Sequence, residues 1–260
     1  MLRGNMHNFR AVDGAELAYE ERGAGLPAVL FVHGWQADRS VWRETIEELG
    51  PEVRTIAVDL RGTGESRDAA GPFALERFAA DLRELVESLH VGPVILVGHS
   101  MGGTVALRFA LDARELTRGL VLISPVPASG GGYSAKGEAY LRSTTDNADA
   151  ARAWLARTFA GKPDDAMLER VCAAAARADR EASLESFESW AHADFAEATR
   201  RIAVPALVIA PEHDAPEMCE RKVAALLPNA RSAVLPGCGH YAILERPREI
   251  AQLIREFRER

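Results

Sequence analysis

The sequence predicts an α/β fold carried by a mostly parallel sheet, and three observations predict it. Short apolar runs at residues 28–32, 53–58, 94–97, 119–123, 206–210 and 230–235 alternate with stretches of helical period, the order in which crossover helices join parallel strands. Several of these runs, such as Val94-Ile95-Leu96-Val97, are apolar without alternation, as strands covered on both faces are. Finally, the residues able to do chemistry stand directly after runs: Ser100, Asp214, His240 and the loop at Trp35. Ligands of open parallel sheets sit at the carboxyl ends of the strands.

The chain has 260 residues, 47% hydrophobic and 27% charged, enough for one large core and ordinary for a globular protein. Its formal net charge of -7 argues against a nucleic-acid partner, because phosphate binding needs a basic surface. The first eight residues hold no apolar signal segment and no run is long enough to span a bilayer, so the expectation is a soluble, cytoplasmic protein with a small-molecule substrate and no membrane partner. Cys172, Cys219 and Cys238 are odd in number and widely spaced, which supports neither a disulfide framework nor a zinc site. Oligomeric state is left open by the sequence.

Residues 9–12 and 17–21 flank Asp13-Gly14, a hairpin signal. The run at 28–32 leads straight into His33-Gly34-Trp35, where a backbone amide could be offered to an anion. Ser40 is the expected N-cap of a helix through Trp42, Ile46 and Leu49. After the strand at 53–58 comes Asp59-Leu60-Arg61-Gly62-Thr63-Gly64-Glu65-Ser66. It lacks the lysine of a phosphate-binding loop and reads as a structural turn tied down by Asp59 and Arg61. Leu75, Phe78, Leu82, Leu85, Val86 and Leu89 then recur at helical spacing as one core-facing stripe.

Gly98-His99-Ser100-Met101-Gly102-Gly103 sits between an apolar strand and a helical pattern, the Gly-x-Ser-x-Gly nucleophile elbow in its proper context. Lifting a serine hydroxyl clear of a sheet edge requires the chain to reverse within about one residue, which strains the serine and crowds its neighbours. Glycines at Gly98 and Gly102 make room. The helix starting at Met101 aims unpaired amides and its positive dipole end at charge developing beside Ser100.

From Gly130-Gly131-Gly132 to about Thr199 the pattern is helical, without strands and rich in aromatics. It reads as a helical cap, residues 128–199, inserted between core segments 1–127 and 200–260. A cap over the sheet would shape a pocket and exclude water. Tyr133, Phe159, Phe187 and Trp190 from the cap, with Trp35 and Tyr241 from the core, are the candidate substrate contacts, each with packing as the alternative. The alternation resumes at 205–210, followed by a helix at 216–227, the strand at 230–235 and a closing helix carrying Ile250, Leu253, Ile254 and Phe257.

A serine hydroxyl needs a general base to act as a nucleophile at neutral pH, and histidine has a suitable pKa. His240 is the expected base and Asp214 the carboxylate that orients it, with Ser100 as nucleophile. Glu212 competes with Asp214 as the acid. His99, beside the serine, is expected to point away from the serine's face as packing or a supporting donor, and His33 and His213 are read as structural. These histidines offer no metal-ligand spacing.

On the His33-Gly34 loop, the Asp59 to Ser66 loop, the elbow, Asp214 and Gly239-His240, all in order, the chain resembles the α/β-hydrolase fold superfamily, and within it compact microbial serine esterases, cofactor-free haloperoxidase-like hydrolases and carbon-carbon bond hydrolases. The resemblance implies an eight-stranded sheet with one antiparallel strand near the amino terminus, helices on both faces and a cap inserted after strand 6. It also implies an oxyanion hole made of the Trp35 and Met101 amides, and no metal or organic cofactor. One departure is Ala210-Pro211-Glu212-His213-Asp214, which lacks the glycine often found shortly before the acid and leaves that loop's course open.

The expected activity is hydrolysis of a carboxylic ester of a small hydrophobic or aromatic substrate through an acyl-enzyme. The same triad also serves carbon-carbon bond hydrolases, lactonases and thioesterases. More distant readings are a cofactor-free lyase or oxygenase, or a ligand-binding receptor. A serine at the elbow disfavours epoxide hydrolase and dehalogenase chemistry, which in this fold looks for an aspartate there.

Overall fold

The computed structural model describes residues 4–214 and 220–260. Cys219 and the expected start of a helix at Pro216 lie outside the described residues.

Eight strands form one sheet: β1 (Asn5–Arg10), β2 (Glu16–Arg22), β3 (Val29–Val32), β4 (Thr55–Val58), β5 (Val94–His99), β6 (Thr117–Ile123), β7 (Ala206–Pro211) and β8 (Ala230–Leu235). Their spatial order is β1-β2-β4-β3-β5-β6-β7-β8. Only β2 runs against its neighbours, pairing antiparallel with β1 through the Asp13-Gly14 hairpin and with β4; the pairs from β4 and β3 to β8 are parallel. The mostly parallel sheet and its single reversed strand agree with expectation.

The apolar runs lack alternation because both faces are covered, and the strand period of two divides them cleanly. Leu30, Val32, Leu96, Leu120 and Val208 face one core, while Val29, Phe31, Ile95, Val97, Val121 and Ile209 face the other. The first core takes up α2 (Leu75–Leu89), α3 (Met101–Asp112) and α8 (Glu220–Leu226). The second is closed by α1 (Arg43–Leu49), α9 (Ala242–Glu245) and α10 (Pro247–Arg258).

Ser40 is not the cap of α1. The carboxylate of Asp38 accepts from the Ser40 N–H at 3.0 Å and starts a 3-10 turn, Arg39–Trp42, that leads into the helix. The loop after β4 is a structural turn as expected: the buried Asp59 carboxylate accepts from the N–H groups of Arg39 and Glu65, both at 2.8 Å. Arg61 leaves the loop to grip α2, donating to both oxygens of Asp81 at 2.6 and 2.7 Å.

Between β6 and β7 the chain forms only helices: α4 (Ala135–Ser143), α5 (Ala148–Arg157), α6 (Asp165–Arg177), α7 (Arg180–Ala191) and a 3-10 segment Ala196–Arg201. Each of these four α-helices is started by a side chain that accepts from its first turn: Ser134, Asn147, Asp164 and Asp179. Local capping of this kind is worth about 1 kcal/mol per helix. Helices α2, α3 and α10 have no side-chain cap and depend on packing between sheet and solvent. The free amino end of α3 lies at the elbow.

Candidate active site

Ser100 terminates β5 with φ 54° and ψ -123°, a left-handed backbone that costs a residue bearing a Cβ of order 1–3 kcal/mol. The surrounding backbone enforces it. Ser100 N–H donates to the Ile123 carbonyl at 3.0 Å, and its own carbonyl accepts from Gly103 N–H at 2.9 Å and Val126 N–H at 3.3 Å. A Cβ on Gly98 would lie 2.4 Å from the Gly102 carbonyl oxygen, and one on Gly102 would lie 2.3 Å from that of Val32. Gly34 comes close from the other side: a Cβ there would stand 3.1 Å from that of Ser100 and from His99 Nδ1, a tight contact that a small shift could relieve.

His240 follows the end of β8, and its Nδ1 lies 3.0 Å from Asp214 Oδ1 and 3.2 Å from Oδ2. Both side chains are nearly buried. The loops that carry them are joined beyond the sheet: Glu212 N–H donates to Leu235 O at 2.9 Å and His213 N–H to Cys238 O at 3.0 Å. Glu212 turns away and accepts from Gly237 N–H at 2.9 Å. The geometry therefore brings Asp214, not Glu212, to the imidazole. The loop reaches this course without the glycine because the β7–β8 pairing continues past Pro211.

His99 holds the imidazole from behind. Its Nε2–H donates to the backbone carbonyl of His240 at 2.8 Å, a carbonyl that the Ser124 hydroxyl also reaches at 3.3 Å. Burial, aided by the nearby His240 ring, pushes the His99 pKa down to about 3, so His99 is neutral and its Nδ1 has no partner among the described residues. His33 is structural as expected: Nε2 accepts from Leu60 N–H at 3.1 Å and Nδ1–H donates to Gly34 O at 2.8 Å. Ser124 was not foreseen; no sequence period marks a serine just past β6.

Among the described residues, no carbonyl accepts from the amide of Trp35, and Met101 is the first residue of α3, whose amide has no intrahelical acceptor. Both amides are thus without a backbone acceptor among the described residues.

The six candidate substrate contacts do not form one wall. Trp35, Phe187 and Trp190 pack on one another with ring centroids 4.9–5.9 Å apart, and Tyr133 lies edge-on to Trp190 at 5.9 Å. The indole N–H of Trp35 donates to the Ser183 carbonyl on α7 at 2.8 Å. Phe159 and Tyr241 stack at 5.3 Å in the core across the sheet. Trp154, partly exposed, packs on both cores and meets Trp35 at 5.8 Å; it bridges the two groups, which its place on α5 could not reveal without the tertiary fold.

Residues 29–253 match the alpha/beta hydrolase family. The chain belongs to that family. A hydrolase of 2-hydroxy-6-oxo-6-(2'-aminophenyl)hexa-2,4-dienoic acid from Metapseudomonas resinovorans is 29% identical over 98% of the chain and 91% of its own length. A thermophilic esterase from Thermogutta terrifontis, whose structure contains malate, superposes with a TM-score of 0.82 at 29% identity, covering 97% of each chain. A soluble epoxide hydrolase from a Corynebacterium is 37% identical over 121 residues, which span 46% of this chain and 42% of that protein. The chain thus covers less than half the length of that relative. Hydrolase activity is what the family and these neighbours support. Among the described residues, no helix of this chain is long and apolar enough to cross a membrane.

Proposed function

We propose that this hydrolase cleaves a carboxylic ester of a small hydrophobic or aromatic substrate through an acyl-enzyme on Ser100. The observations that carry the reading are the His240–Asp214 contact of 3.0 Å and an elbow serine held at φ 54°. Asp214 fixes the imidazole with Nδ1 protonated, which leaves Nε2 free to accept a proton. Ser100 Oγ attacks the carbonyl carbon as its proton passes to His240, and the carbonyl oxygen becomes an anion facing the Trp35 and Met101 amides. Such donors are typically worth about 3–4 kcal/mol each in the transition state. Collapse expels the alcohol, which takes the proton from His240. Water then gives a proton to His240 and attacks the acyl carbon, and Ser100 leaves with that proton. The products are a carboxylic acid and an alcohol, and the residues named complete the cycle.

The likeness to the Metapseudomonas hydrolase favours a second reading, in which the same residues cleave a carbon-carbon bond next to a ketone. The likeness to the epoxide hydrolase covers under half of each chain, and Ser100 stands where opening an epoxide through an ester intermediate would call for a carboxylate.

The test is turnover of p-nitrophenyl esters of increasing acyl length by the wild type, Ser100→Ala and His240→Ala. The ester reading predicts a preferred chain length and a loss of about 10³-fold or more in both variants. An inert wild type, or a Ser100→Ala that keeps its rate, overturns it and moves the search to diketone substrates.

A further inference from the structure

The loop that carries His240 is gripped by the helical insertion as well as by the sheet. His240 N–H donates to the Thr158 carbonyl at 2.7 Å. Gly239 packs so closely on residues 158–160 that a Cβ would lie 2.5 Å from Thr158 O and 2.8 Å from Ala160 N. One carboxylate spans this junction: Glu245, at the end of α9, accepts from Gly239 N–H through Oε2 at 2.8 Å and from Ala160 N–H through Oε1 at 2.9 Å.

We infer that Glu245 is a positioning residue for His240, a two-handed clamp that fixes the base loop to the segment after α5. The chemistry of the clamp is specific. Two amide donors converge on one side chain, and its carboxylate presents a separate oxygen to each, which a glutamine cannot do. Charge also strengthens both bonds relative to neutral partners. With Gly239 held from one end and the His240 carbonyl held by His99 from the other, the imidazole is left with little freedom except about its own side-chain torsions. Removing the carboxylate frees Gly239 and Ala160 together, so the ring loses its register against Asp214 while the fold's strands and helices stay in place.

The kinetic part of this inference rests on the ester reading; the structural part does not. The experiment uses the full-length chain with Glu245→Ala and Glu245→Gln, the latter nearly isosteric but able to accept from only one of the two amides. Three readouts are taken: backbone amide exchange at Gly239 and Ala160, the low-field proton resonance of the His240 Nδ1–H bonded to Asp214, assigned by its loss in Asp214→Asn, and kcat and KM on the ester the wild type prefers. Expected for Glu245→Ala are faster exchange at both amides, a broadened or lost resonance, and a kcat lowered about 10- to 100-fold, the scale of a misplacement of about 1 Å, with KM within about twofold. Glu245→Gln should fall between this variant and the wild type on every readout, and it keeps the proposal testable if the alanine variant does not fold. A Glu245→Gln that retains wild-type exchange, resonance and kcat overturns the inference, as does a lowered kcat with the resonance intact. If the wild type is inert toward esters, the ester reading fails, and the exchange and resonance still decide the role of Glu245.

Discussion

His99 shows how one residue can support a candidate site through the backbone of another. It stands next to Ser100 in sequence, yet its ring is turned under the His240 loop, where Nε2–H supports the His240 carbonyl and burial keeps it neutral with a pKa near 3. In the unfolded chain a histidine takes up its proton around pH 6.5. Between about pH 6.5 and 3 the unfolded state therefore binds a proton that the native state refuses, and His99's contribution to stability, full above that window, is lost as the pH falls through it, at roughly 1.4 kcal/mol per pH unit. His99→Gln places an amide donor near the same position without a titrating ring. Its unfolding free energy, measured by denaturant titration from pH 7 to 4, should decline less steeply with acid than the wild type's; equal slopes would show that His99 is not the buried neutral group. At this scale much of the candidate site could be read in the sequence, because Ser100, Asp214 and His240 each follow a recognisable strand end. Ser124, Trp154 and Glu245 could not, since their roles depend on which loops meet across the ends of β5, β6 and β8.

The elbow and the turn after β4 are elements whose backbone is specified by neighbours in space. Gly98 and Gly102 were legible from the motif alone, whereas the close approach of Gly34 to Ser100 depends on how the loop after β3 meets the elbow. Gly98→Ala forces a Cβ to within 2.4 Å of backbone that cannot yield, and it is expected to lower the melting temperature strongly or to abolish folding. A stable, fully folded Gly98→Ala would contradict the elbow's close packing. The turn after β4 is held otherwise, by charge. Arg61, fully buried, bonds Asp81 twice, Asp13 at 2.8 Å and the Ala70 carbonyl at 2.6 Å. Breaking a buried pair by removing one partner typically costs about 3–5 kcal/mol, because the other charge is left in low dielectric. Arg77 still pairs Asp81 at 2.7 Å when Arg61 is gone, so Arg61→Leu should lose only part of that amount in chemical denaturation, and Arg61→Leu with Asp81→Leu should recover some of it. If the double variant is no better than the single, the loss comes from packing and not from an Asp81 left with Arg77 alone. That Arg61 anchors the turn was legible in its loop; that it reaches α2 was not, because charge pairing across 20 residues leaves no period.

At the scale of the whole molecule, the question is whether the helical insertion is a lid or part of the frame. Its presence was legible from the interruption of the strand-helix alternation, but its attachment was not. Leu141, Phe187 and Trp190 belong to one core of the sheet, and Leu155, Phe159, Leu168 and Val171 to the other. The insertion therefore sits astride the carboxyl edge and is buried with both layers. Polar contacts add to this on each side of the site. Trp35 Nε1–H reaches Ser183, Arg177 donates to the buried Asp38 at 2.6 Å, and the His240 loop is bound to residues 158–160. A lid that opens as a unit would have to break all of these and expose the apolar surface of both clusters, at roughly 25 cal/mol for each Å² uncovered. We therefore expect the insertion and the sheet to unfold in one cooperative transition. In a Trp42→Phe background, which removes the tryptophan buried against β3, fluorescence reports the insertion interface through Trp35, Trp154 and Trp190, and far-ultraviolet circular dichroism reports the whole chain. Their denaturation midpoints should coincide, and amides of α5 and α7 should exchange with protection close to that of β5. An earlier fluorescence transition, with weak protection confined to α4 through α7, would mean that the insertion detaches on its own and that the contacts at Ser183 and Thr158 are latches which open in the native state.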